Sequence, residues 1–169
     1  DSAGARVGGG VLHLAAIGAS DHNSDRALAP EPCIQSGGGS RPRVIKRLID
    51  EGLVDYIAMD MKTDPKWYSA YIKADCDAAA ILSSVEIIMD SAIAYEFRTT
   101  CVKPIVTTAV IENISRLIKG ARLYALQRFH KSQMLHPDFF KEINYEHTND
   151  EMMQLKAVAE PWVEQCIIR

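Results

Sequence analysis

Cysteine is scarce in this chain and badly spaced for chemistry. The 169 residues hold four, Cys33, Cys76, Cys101 and Cys166. No two stand in a C-x-x-C or similar pair, so a cysteine zinc site has no local nucleus. Nothing in the spacing forces a disulfide either, and free thiols in a cytoplasmic protein are expected. Basic excess is also missing. Lys and Arg number 19 against 22 Asp and Glu, a net charge of −3, which gives no electrostatic pull toward nucleic acid or an anionic membrane. Long apolar runs are absent: the stretch from Val11 to Ile17 is interrupted by His13 and falls far short of the ~20 residues of a membrane span. No basic region leads into it, so no signal peptide is expected. H-E-x-x-H, G-x-S-x-G and Walker signatures do not occur, and Gly8-Gly9-Gly10 lacks the Lys-Ser/Thr that phosphate chemistry needs.

What is present is a soluble composition, 47% hydrophobic and 24% charged, enough for one domain with its own core. Glycine is unevenly placed. Beyond Ser40 only Gly52 and Gly120 occur, while the first forty residues carry Gly8-Gly9-Gly10 and Gly37-Gly38-Gly39 with Pro30 and Pro32. Residues 1–39 therefore read as an irregular leader in which only Val11 to Ile17 has the pattern of a strand. Residues 40–169 are orderly. Ser40 is placed to cap a helix with Pro42 in its first turn and Gly52 behind it. The run Leu53 to Met59 reads as a strand buried on both faces, ending in Asp60-Met61-Lys62.

The alternation continues. A helix is expected from Asp77 to Ser91 with Ile81, Leu82, Val85, Ile88 and Met89 inward. Then follow a strand at Tyr95 to Val102, a helix capped by Thr108, and a strand at Leu123 to Phe129. Residues 130–148 read as loop, and a helix at Asn149 to Val158 and a strand at Val163 to Ile168 complete the chain. This order predicts an α/β fold with a parallel sheet built from right-handed crossovers. A closed eight-unit barrel takes about 250 residues. The expectation is therefore a partial (β/α) barrel or an open parallel sheet of about four βα units.

In such sheets ligands sit beyond the carboxyl ends of the strands. That rule points to Asp60-Met61-Lys62, Thr99 to Lys103 and Gln127 to His130. By the period-2 rule Asp60 and Lys62 lie on one side of their strand, as a ligand pair or simply as a salt bridge to each other. Arg98 is a charge inside an apolar strand and needs a partner: Asp60, Glu96 or a ligand carboxylate. Trp67 and Tyr68 either face a partner or cover the barrel end. His136, Asp138 and His147 are too loosely spaced for a metal and read as polar loop. The glycines at 37–39 precede a helix, where an anion is also accommodated.

These residues carry a resemblance. Gly39-Ser40-Arg41-Pro42, the stretch Gly52 to Lys62, Tyr95 to Thr100, Leu126 to Phe129 and Pro161 to Glu164 together resemble the radical S-adenosylmethionine enzymes that activate glycyl-radical proteins. The nearest types are the activating proteins of anaerobic ribonucleoside-triphosphate reductase and pyruvate formate-lyase. The resemblance covers about residues 39–169 and implies a partial barrel. It also implies S-adenosylmethionine as cofactor, a [4Fe-4S] cluster held by a C-x-x-x-C-x-x-C loop, and a glycyl-radical enzyme as partner. The cofactor-binding residues it implies are Gly39, Asp60, Lys62, Arg98, Gln127 and His130.

The chain departs from that pattern in three places. The cysteine loop and the Gly-Gly-Glu motif are absent, and only the last glycine of the Asp-Thr-Asn-Gly turn survives, as Gly39. The expectation is a chain not competent alone, corresponding to the later half of the barrel behind an unrelated leader. The alternative is a non-enzymatic module that binds a nucleoside-type ligand or a protein partner. Self-association or a complementing N-terminal half is expected to cover the uncovered edge.

Overall fold

The computed structural model describes residues 14–17, 41–67, 77–129 and 145–169. Within them lie five strands and four α-helices, in the order β1 (Leu14–Ile17), α1 (Pro42–Asp50), β2 (Tyr56–Asp60), α2 (Ala78–Met89), β3 (Ala94–Cys101), α3 (Thr108–Leu117), β4 (Tyr124–Arg128), α4 (Asn149–Ala159) and β5 (Cys166–Ile168). A single 3-10 turn at Pro65–Trp67 follows β2.

The strands form one sheet in chain order, β1-β2-β3-β4-β5. β2 to β5 run parallel, with Asp60 opposite Arg98, Phe97 opposite Tyr124 and Tyr124 opposite Cys166. The expected α/β open sheet is therefore present. One feature departs from expectation: β1, from the leader, pairs antiparallel with β2, Leu14 opposite Met59. The sheet is thus mixed, and β1 covers the β2 edge whose backbone groups would otherwise lack strand partners. Val11 to His13 of the expected strand lie outside the described residues.

Helix ends follow local chemistry. Gly52, at φ +63°, stands just past the C-cap Glu51 of α1. Its N–H reaches Ile49 O and that of Leu53 reaches Leu48 O, the paired bonds of a Schellman ending that favours glycine. The start of α1 differs from expectation. Its N-cap is Arg41, which makes no side-chain capping bond, with Pro42 at the first helical position, and Ser40 lies outside the described residues. The α3 cap is Thr107 rather than Thr108, its hydroxyl accepting from Val110 N. α4 carries a reciprocal capping box between Thr148 and Glu151, a pattern readable as T-x-x-E but not anticipated.

All four helices pack on one face. Ile45 of α1, Ile81, Val85 and Ile88 of α2, Ile111 and Ile114 of α3, and Met152 and Leu155 of α4 share a core with alternate strand residues. Those are Ile57 and Met59 of β2, Tyr95, Phe97 and Cys101 of β3, Tyr124 and Leu126 of β4, and Cys166 of β5. The in-between residues turn to the other face: Tyr56, Ala58 and Asp60, then Glu96, Arg98 and Thr100, then Ala125 and Gln127. One face is thus an apolar core and the other a charged, small-residue surface.

Candidate functional site

The polar face converges at the carboxyl ends of β2 and β3. Asp60, the last residue of β2, is the register partner of Arg98, and only 8% of its surface is exposed. Arg98 donates through Nε to Asp60 Oδ1 at 2.7 Å. Lys62 Nζ lies 3.5 Å from Asp60 Oδ2. Of the alternatives open for Arg98, Asp60 is the partner, while Glu96 is taken elsewhere. Two cations share one carboxylate. The Asp60 contact uses one of the five guanidinium donors of Arg98. Its terminal nitrogens have no protein acceptor among the described residues, and a planar fork of this kind suits a carboxylate.

Gln127 sits on the same face one strand over, opposite Thr100, and is half-buried. Gly39 and His130 lie outside the described residues, as do Tyr68, Cys33, Cys76, His136 and Asp138.

Three further groupings were not anticipated from the sequence. Deeper on the polar face, Arg169 grips the buried Glu96 with both terminal nitrogens, Nη1 to Oε1 at 3.0 Å and Nη2 to Oε2 at 2.8 Å. Burial first, then the Glu96 charge, pushes the Tyr56 hydroxyl pKa above 10.0. On the core side, the Thr99 hydroxyl bonds to Met61 O at 2.6 Å and to the Tyr124 hydroxyl at 2.7 Å, stitching β2, β3 and β4 together below Lys62. Beyond Lys62, Asp64 Oδ2 accepts from Asn113 Nδ2 of α3 at 2.8 Å. The partners lie 73, 25 and 49 residues apart, and no local signal links them.

A cavity of about 80 Å³ opens where β3 and β4 end and α4 begins, lined by Cys101, Arg128, Phe129, Glu146, His147 and Met152. His147 Nε2 lies 3.1 Å from Val106 O. Pairing with a carbonyl assigns the proton to Nε2, and Nδ1 is buried without a hydrogen-bond partner. Burial, then the nearby Lys103 ammonium, lowers the His147 pKa below 6.5, which favours the neutral ring.

The described residues do not fit an iron–sulfur cluster. Their two cysteines, Cys101 and Cys166, are buried thiols on the helix-covered face. Burial pushes them up to about 12 and about 11, whereas cluster ligands are thiolates. No group of three or more His, Cys, Asp or Glu residues placed to hold a metal occurs among the described residues. Lys62 and Arg98 carry donors of the kind a ligand carboxylate needs, with Asp60 accepting between them. No helix among the described residues is long and apolar enough to cross a membrane.

The described residues form an α/β sheet with a charge cluster at the ends of β2 and β3. No family model matches the chain. Over 135 residues it is 30% identical to a protein of Methanocaldococcus jannaschii described as "Putative glycyl-radical enzyme activating enzyme". The match covers 78% of this chain and 55% of that protein, so the chain spans about half the length of this curated relative.

Proposed function

We propose that this chain is part of a glycyl-radical enzyme activating enzyme of the radical S-adenosylmethionine type, and that its strand ends hold that cofactor. The observation that carries the reading is the Asp60, Lys62 and Arg98 cluster, supported by the similarity to the archaeal activating enzyme. Lys62 meets the cofactor carboxylate as a compact charge and Arg98 as a fork, while Asp60 holds both cations in place. Gln127 is the proposed contact toward the nucleoside, and the resemblance adds Gly39 and His130 as candidates for the same role.

S-adenosylmethionine supplies hydrogen-abstraction chemistry when reductively cleaved, and the target is a glycine of the partner protein. The described residues offer no thiolate set for the electron source, so no step is assigned through a cluster. The C-x-x-x-C-x-x-C loop is absent from the sequence. On this reading the chain binds the sulfonium without cleaving it unaided, and a complementing half or partner supplies the iron.

Calorimetric titration of S-adenosylmethionine into the anaerobically purified chain tests the reading. Saturable heat is expected in the wild type and little or none in Lys62→Ala. No heat in the wild type overturns it and leaves the non-enzymatic binding module as the better account.

A further inference from the structure

We propose that Asn113, on α3, is a positioning residue for Lys62, acting through Asp64. The inference rests on the carboxylate-binding reading above. Lys62 lies outside regular structure, in the segment that leaves β2, and a flexible lysine directs its charge only if its main chain is fixed. On one side the chain is fixed at Met61, whose N–H donates to Arg98 O at 2.6 Å and whose carbonyl accepts from the Thr99 hydroxyl at 2.6 Å. On the other side it is fixed at Asp64. That carboxylate shapes its own turn, accepting from Lys66 N at 3.1 Å and pairing with Lys66 Nζ at 2.9 Å, while Trp67 N donates to Asp64 O at 2.8 Å.

Those contacts lie within the turn, which also packs against α2. Asn113 is different. Its Nδ2 donates to Asp64 Oδ2 at 2.8 Å from a helix whose Ile111 and Ile114 are fully buried in the core. Among the described residues it is the one hydrogen-bond partner of the Asp64 side chain outside the turn. Only Lys62 and the wholly buried Thr63 lie between the two anchors. Releasing Asn113 therefore removes the side-chain hydrogen bond that ties one end of a very short span to α3. Small misplacements of a binding group weaken its contacts strongly.

The test compares wild type, Asn113→Leu and the exchange variant D64N/N113D, which re-forms an amide–carboxylate bond with the partners reversed. The first readout needs no ligand: amide hydrogen exchange at residues 62–64. It is expected to rise in Asn113→Leu, to stay unchanged in β2, and to return to the wild-type level in the exchange variant. The second readout is binding of S-adenosylmethionine against 5′-methylthioadenosine, which lacks the aminocarboxylate. Asn113→Leu is expected to bind the former about tenfold more weakly and the latter as the wild type does.

Equal weakening for both ligands means a general structural role and overturns the proposal, as does unchanged exchange at 62–64. Failure of the wild type to bind S-adenosylmethionine instead removes the carboxylate reading, and positioning is then decided by exchange alone. Should Asn113→Leu not fold, Asn113→Gln takes its place in both readouts.

Discussion

Arg98 and Asp60 face each other across the β2–β3 pairing and are joined by a 2.7 Å hydrogen bond from Nε to Oδ1. Their side chains are only 18% and 11% exposed, so the pair is not a surface ion pair that water screens away. Arg98→Met leaves Asp60 with Lys62 alone at 3.5 Å and is expected to lower stability by about 2 kcal/mol. Asp60→Asn is expected to lose more, because the carboxylate that both cations share is then gone. Urea unfolding with an unchanged slope and a lower midpoint checks both. Midpoints equal to wild type would show that the pair holds nothing together.

Acid should weaken the fold in two separable ranges. Glu151 is held at about 2, below its ordinary 4.5, mainly by the Lys103 side chain and then by the Thr148 N–H. A depressed carboxylate stabilises the fold above its ordinary range and loses that contribution as pH falls from 4.5 to about 2. His147 is also depressed, from 6.5, by burial and by Lys103. Its contribution is complete above 6.5 and declines as pH falls below that value. Melting temperatures across this range are expected to flatten below pH 6.5 in His147→Gln and in the lower range in Glu151→Gln. High salt should shrink the exposed Glu151 effect. Mutant curves parallel to wild type would contradict the assignment.

Cys101 and Cys166 are buried and their thiols are raised to about 12 and about 11. The reactive species is the thiolate. In a variant carrying Cys33→Ser and Cys76→Ser, Ellman's reagent at pH 8 is expected to find no fast-reacting thiol in the native protein. Both remaining thiols should react in denaturant. A fast native thiol would mean that the end of β3 or the start of β5 opens readily.

The architecture was legible because helix and strand periods alternate so regularly from Pro42 onward. A strand buried on both sides announces itself in Ile57, Ala58 and Met59, and Asp60 with Lys62 marks its end. Even Arg98 was legible as a charge in need of a partner, with Asp60 among the named choices. What stayed hidden is cross-strand chemistry. Glu96 looked like one alternative for Arg98, yet its partner is Arg169, which only the β3-β4-β5 order brings near. Likewise, nothing local tells that Tyr124 is a hydroxyl partner for Thr99 rather than one more core aromatic, or that Asn113 reaches the loop beyond β2. The capping box is the contrary case, since Thr148 and Glu151 stand three residues apart and the pattern was there to be read. β1 was legible as a strand but not in its direction, because an antiparallel edge needs no crossover helix to betray it.

The order of the strands has a consequence for how the chain reaches its native state. From β2 to β5 each strand lies beside the one synthesised just before it, and among the described residues one α-helix lies in each gap. No β-strand of this series waits for a partner far downstream, so contacts among β2–β5 form at modest loop-closure entropy. A growing chain of this wiring can dock one βα unit at a time onto the last. The folding nucleus is then expected to travel along the sheet from β2 toward β5, with Arg169 closing over Glu96 as the final lock.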